Sequence, residues 1–134
     1  MSVFIIAEAG VNHNGSIDIA KKLIDIACFA GANAVKFQSF KASSLVTKKS
    51  QKAIYQKKTT KNEETQLEML EKLELNKIAH EKIISYCAYK KIIFLSSPFD
   101  HESIDLLNNL GLNTIKIPSG EIIEGRINPA FIAK

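Results

Sequence analysis

Short apolar runs alternate with amphipathic helical segments along this chain, and that alternation is the strongest limit on its fold. Val3–Ala7, Ala34–Gln38, Ile92–Ser96 and Thr114–Ile117 are the apolar runs. Short runs of this kind suit strands covered on both faces, as in parallel sheets. Between them, Ile19, Ala20, Leu23, Ile24 and Ala27 recur at helical spacing. So do Leu67, Leu70 and Leu73, then Ile83, Ile84 and Cys87, then Ile104, Leu107 and Leu110. Strand, helix, strand in so little sequence is a βαβ unit, which crosses over right-handed. The expected class is therefore α/β: a partial TIM (β/α)8 barrel, roughly its first four βα units. A whole barrel takes about 250 residues, whereas the alternation here runs to the end of 134. Residues 1–134 are thus expected to be the truncated amino-terminal part of such a barrel. A self-contained doubly wound sheet of four strands is the competing layout.

Local signals place the element ends. Ser16, Asn76 and Asp100 stand where a helix N-cap is needed, and Gly31 and Gly111 where a helix stops. Pro129, after Asn128, suits the first position of a further helix. Ser39 to about Glu64 is polar, lysine-rich and long for a connection, which is the usual mark of a functional or mobile loop.

Composition narrows the function classes. Glycine and proline are sparse, at 6 and 3 residues, so collagen-like and disordered readings fail. The net charge of +4 is modest, and its lysines gather between Lys48 and Lys61 and on helix faces. The aromatic interleaving of a single-strand binder is missing, so no nucleic-acid partner is expected. No run is long enough to span a bilayer and no basic-then-apolar leader precedes Val3, so the expectation is a cytoplasmic chain with no membrane partner. Cys28 and Cys87 lie on apolar helix faces without metal-ligand spacing, in keeping with a reducing compartment.

The chemistry sits where the apolar runs end. Lys36 and Gln38 alternate along one run, so they share a face. A lysine there is costly unless it meets an anion, either a substrate phosphate or carboxylate or a neighbouring glutamate. Lys116-Ile117-Pro118-Ser119-Gly120-Glu121 brings a cation, a hydroxyl, a glycine and a carboxylate together within six residues. The glycine admits a phosphate to the backbone, the hydroxyl donates, and the carboxylate can move a proton. The same segment also reads as a simple Pro-Ser-Gly exit turn. Ser96-Ser97-Pro98 repeats the pattern more weakly. Glu8 follows its apolar run directly and is expected to pair with Lys36 or Lys116, to act in catalysis, or both. His13, in the Gly10–Gly15 turn, reads as a turn or substrate contact rather than a metal ligand. His80 and His101 are expected at the surface.

Four motifs in order carry a resemblance. Ala7-Glu8-Ala9-Gly10-Val11-Asn12-His13-Asn14-Gly15, Val35-Lys36-Phe37-Gln38, Phe94-Leu95-Ser96-Ser97-Pro98-Phe99-Asp100 and Lys116-Ile117-Pro118-Ser119-Gly120-Glu121 resemble the amino-terminal barrel half of the sialic acid synthases. Tyr55-Gln56 and the stretch from Glu64 to Leu70 are similar to that family too, so the resemblance runs to about Ile122. It implies condensation of phosphoenolpyruvate with an N-acetylmannosamine-type sugar, giving a nine-carbon 2-keto acid and phosphate. The sugar leading to N,N'-diacetyllegionaminate is the alternative. By matching motif, Lys36, Ser97, Lys116 and Ser119 would hold phosphoenolpyruvate. Gln38 and Glu121 would face the sugar, with Glu121 the proton carrier and Glu8 beside the reacting carbons. A divalent metal, manganese or magnesium, is implied for the full-length enzyme, with its ligands beyond Lys134, and so is a homodimer. Ser97 stands where the family usually has threonine, and Ile122-Ile123-Glu124-Gly125-Arg126 departs from its usual turn. Two rivals remain at this level: a Schiff-base aldolase using Lys36 or Lys116, and a non-catalytic half-barrel that binds anions or self-associates.

Overall fold

The computed structural model describes residues 3–46 and 65–119. Within them three strands form one parallel sheet in the order β1 (Ile6–Gly10), β2 (Ala34–Ser39) and β3 (Ile93–Pro98). The connections are helical: α1 (Ile17–Phe29) between β1 and β2, then α2 (Ala42–Leu45), α3 (Gln66–Leu73) and α4 (Lys77–Lys90) before β3. α5 (His101–Asn109) follows β3.

The helix starts are dictated locally. Ser16 accepts from Ile19 N–H, Asn76 from Ala79 N–H and Asp100 from Ser103 N–H. Each satisfies a donor that the first helical turn leaves without a partner. Thr65 and Glu68 close a reciprocal capping box on α3. Packing then selects the buried faces. Ala20, Ile24 and Ala27 of α1, Ile83 and Cys87 of α4 and Leu107 of α5 meet Ala9, Val35, Phe37, Ile92 and Phe94 in one core. Phe37 stacks on Phe94 with ring centroids 5.7 Å apart. Ile19, expected on the inner face of α1, is instead 38% exposed. Burial also pushes the Cys87 thiol up to about 12, so it stays protonated and behaves as a small apolar group.

Two strands differ from expectation because pairing, not apolarity, defines a strand. β1 begins at Ile6 rather than Val3, since the partner strand begins at Ala34 and the ladder starts with Ile6 opposite Ala34. Ahead of it, Ile5 is tied to Asn33 by its N–H to Oδ1 at 2.7 Å and by its carbonyl. Nor is the first apolar run covered on both faces among the described residues: Val3, Phe4, Ile5 and Ile6 are exposed. Thr114–Ile117 forms no strand. It is joined to β3 by a backbone bond from Lys116 N–H to Ser96 O at 2.9 Å, without the repeated ladder a strand requires. The short helix α2, inside the polar stretch after Ser39, was not legible in the sequence. The helix expected at Pro129 lies outside the described residues, as do Tyr55, Gln56 and the lysines from Lys48 to Lys61.

The turn between β1 and α1 is locked against α3. Gly15 has φ +75°, and a Cβ there would lie 2.3 Å from the carbonyl oxygen of Lys72. Gly15→Ala is therefore expected to cost about 2 kcal/mol or more, from left-handed strain plus the displaced backbone. Urea denaturation of the variant measures it; an unchanged midpoint would show that this contact is not tight.

Candidate functional site

Alternation along the strands sorts the sheet into two faces. Ala7, Ala9, Val35, Phe37 and Phe94 pack toward the helices. Ile6, Glu8, Lys36, Gln38, Leu95 and Ser97 alternate with them and share the other face. The register aligns Glu8 with Lys36 and Gln38 with Ser97, so the polar members gather at the carboxyl ends. Ligand sites of parallel α/β proteins gather at this end.

Lys36 is the centre of the group. Its Nζ pairs with Glu8 Oε2 and lies 3.5 Å from Ser97 Oγ. The lysine side chain is 13% exposed and the glutamate 52%. A cation so enclosed needs an anion, and Glu8 supplies it from the solvent side. The pairing expected for Glu8 is thus present, and its partner is Lys36. The backbone lets the carboxylate approach: the ladder shifts register between Glu8 and Gly10, and Gly10 has φ +53°. A Cβ on Gly10 would lie 3.2 Å from Glu8 Oε1 and 3.6 Å from Gln38 Nε2. Gly10 therefore leaves the space in which both polar heads sit.

The other expected site residues are less tightly gathered. Lys116 is exposed, and its backbone bond to Ser96 places it beside the end of β3. Ser119 is exposed. Glu121 lies outside the described residues. Among the described residues no cluster of three or more His, Cys, Asp or Glu side chains is placed to hold a metal ion. The family resemblance implies a divalent metal whose ligands lie beyond Lys134, and the described residues supply no such set of their own.

Two histidines lie behind the polar face. His13 is fully buried; its Nδ1 accepts from Gly15 N–H at 2.9 Å, which leaves the proton on Nε2 without a partner among the described residues. His80 overturns the surface expectation. It is 1% exposed, with Nε2 2.7 Å from Ser39 Oγ and Nδ1 3.0 Å from the Asn76 carbonyl. Ser39 Oγ in turn lies 2.7 Å from Ser96 Oγ. Positions 80, 83, 84 and 87 recur at helical spacing, so His80 shares the apolar face of Ile83, Ile84 and Cys87, a burial signal that the surface expectation overlooks. Nothing local in the sequence marks its partner 41 residues away. His101 is exposed, as expected.

The loop above the site is clamped as well. Asp100 accepts from Lys41 N–H at 2.6 Å, and Glu74 accepts from Ala42 N–H and from Lys41 Nζ, at 3.0 and 2.7 Å. The Glu74 hydrogen bond raises the Lys41 pKa, outweighing burial. A groove of about 830 Å³ between α1 and α4, lined among others by Ile17, Lys21, Ile78, Tyr86 and Tyr89, opens on the helical side instead. None of the strand-end polar residues lines it.

The geometry defines a class, a parallel α/β chain with polar side chains gathered at its strand ends, and comparison with known proteins then gives the family. Residues 23–128 match the NeuB family, and the chain belongs to it. It is 60% identical over 118 residues to the N,N'-diacetyllegionaminic acid synthase of Campylobacter jejuni, covering 88% of this chain and 35% of that protein. It is 51% identical over 122 residues to the Legionella pneumophila protein of the same name, covering 91% and 34%. The chain thus spans about a third of the length of these relatives. Among solved structures, the N-acetylneuraminic acid (sialic acid) synthetase of Leptospira borgpetersenii, in complex with citrate, superposes with a TM-score of 0.76 at 30% identity. That match covers 92% of this chain and 39% of the synthetase.

Burial holds the pKa of both His13 and His80 below the ordinary value of 6.5, with His80 adding to the effect on His13 and Lys41 to that on His80. Both are neutral in the fold and gain protons more readily once unfolded. Their contribution to stability is present above pH 6.5 and is lost as pH falls below it. The urea midpoint is therefore expected to drop between pH 7.5 and 5.5, and to drop less in His80→Gln; equal drops would show that His80 is not held neutral. Glu8→Gln leaves the mostly enclosed Lys36 ammonium without its anion and is expected to lower stability by about 1–3 kcal/mol in the same assay.

Proposed function

We propose that this chain carries the phosphoenolpyruvate-binding part, and one side of the sugar site, of a sialic acid synthase-type enzyme. The enzyme would join phosphoenolpyruvate to an acetamido sugar and release phosphate. The observation that carries the reading is the Glu8–Lys36–Ser97 cluster, aligned with Gln38 at the carboxyl ends of parallel strands in a NeuB-family chain. Lys36 and Ser97 present a cation and a hydroxyl to one anion, and such charge-assisted contacts are the strong ones. Lys116 and Ser119 extend that contact from the segment beside β3. Gln38 offers an amide to the sugar.

Glu8 stands at the reacting carbons, where C3 of phosphoenolpyruvate forms the new bond to the sugar aldehyde. Water adds at C2 and phosphate leaves. Glu8 holds the Lys36 ammonium in place through these steps, and Glu121 moves the proton. A homodimer, a cytoplasmic location and use of a divalent metal belong to this reading of the whole enzyme. Identity to the two legionaminic acid synthases favours the diacetamido-trideoxy sugar over N-acetylmannosamine.

Phosphate release by the complete gene product is the test, with phosphoenolpyruvate, manganese and each sugar in turn. Release is expected with at least one sugar, and release with neither would overturn the reading. Lys36→Met should lower kcat/KM for phosphoenolpyruvate by about 100-fold, the loss of a charge-assisted contact of roughly 3 kcal/mol. An unaffected value would remove Lys36 from the site.

A further inference from the structure

We propose that His80 is a positioning residue, holding the carboxyl ends of β2 and β3 in register through the hydroxyls of Ser39 and Ser96 and thereby setting Gln38 and Ser97 on the opposite face. The inference rests on the reading of that face as the substrate site.

The hydrogen bonds have one consistent direction. The Asn76 carbonyl only accepts, so the proton of the neutral His80 ring is on Nδ1 and is donated to it at 3.0 Å. Nε2 is then an acceptor, and the donor facing it is the Ser39 hydroxyl at 2.7 Å. With its proton committed, Ser39 Oγ accepts from Ser96 Oγ at 2.7 Å. The chain runs from Ser96 to Ser39 to His80 to the first turn of α4, whose backbone His80 N–H bonds the same carbonyl. All three side chains are at most 1% exposed.

Filling space would not require this polarity. One step back along the strands, the helix-facing positions are Phe37 and Phe94, stacked on each other. At Ser39 and Ser96 the same face turns polar, just where the opposite face carries Gln38 and Ser97. Apolar contacts tolerate sliding, whereas a directional, buried chain of hydrogen bonds allows one arrangement. The backbone at these positions is also bonded to the neighbouring segments: Ser39 O accepts from Phe99 N–H and Ser96 O from Lys116 N–H, at 3.0 and 2.9 Å. Each strand end is therefore held by its backbone and from behind by His80. Gln38 and Ser97 follow, because each adjoins an anchored residue.

The test combines spectroscopy on the chain with kinetics on the complete gene product. Long-range 15N–1H spectra are expected to show the His80 proton on Nδ1, and Ser39→Ala to move the amide signals of Gln38 and Ser97. A proton on Nε2, or amide signals that stay in place, overturns the inference whatever the enzyme assay gives. In phosphate-release kinetics, His80→Leu is expected to raise KM for phosphoenolpyruvate about tenfold. His80→Gln, which keeps an acceptor facing Ser39, should restore most of the wild-type value. Should His80→Leu fail to fold, Ser39→Ala is expected to give the same rise. A purely structural role would lower the active fraction, and so kcat, with KM unchanged, and that result also overturns it. Wild-type protein that releases no phosphate would sink the functional reading, while the spectra would still decide the role of His80.

Discussion

Along β2 successive side chains leave the sheet on opposite sides, and the strand is bonded to a parallel neighbour on each edge. Nearly every other feature follows from that pair of constraints. Val35 and Phe37 must enter the helix-covered core, so Lys36 and Gln38 must enter the other face. A slip of one residue would drive a lysine into the apolar core and expose a phenylalanine. The register with β1 and β3 then brings Glu8 and Ser97 to Lys36 without any further device.

The polar face is organised around the cost of enclosing a cation. Lys36 is mostly withdrawn from water, and Glu8 and Ser97 converge on it. Gly10, by lacking a side chain, leaves room for Glu8 and Gln38. On the other side of the same strand ends, burial holds His80 neutral and Ser39 and Ser96 complete its hydrogen bonding. One face thus carries a charged pair whose carboxylate opens to solvent, and the other a neutral chain closed to it. A substrate anion approaching Lys36 would meet a cation already oriented, with little rearrangement left to make.

What could be read in advance was local. Ser16, Asn76 and Asp100 cap their helices as expected, because a cap bonds a donor three residues away. Lys36 and Gln38 share a face for an equally local reason. Some expectations fell for want of a distant partner, whereas Ile19 and His80 were misplaced on their own helix faces. β1 was placed three residues early because its ladder depends on where β2 begins. Thr114–Ile117 has strand-like composition but lacks the ladder among the described residues. For His80 the burial follows from the helical face it shares with Ile83 and Cys87, and only its partners Ser39 and Ser96 are distant.

The sequence by itself determined the α/β class, the helix starts, the family resemblance and the polar residues at the strand ends. Those depend on spacing, and spacing along the chain is all a strand or a helix turn needs to sort its side chains. Only the tertiary structure decided that Glu8 is the partner of Lys36, that Gly10 makes room for it, and that His80 lies behind the strand ends. These relations join residues far apart in the chain. Sheet register and helix packing settle them, because a buried charge or ring nitrogen is stable only where a distant segment supplies its partner.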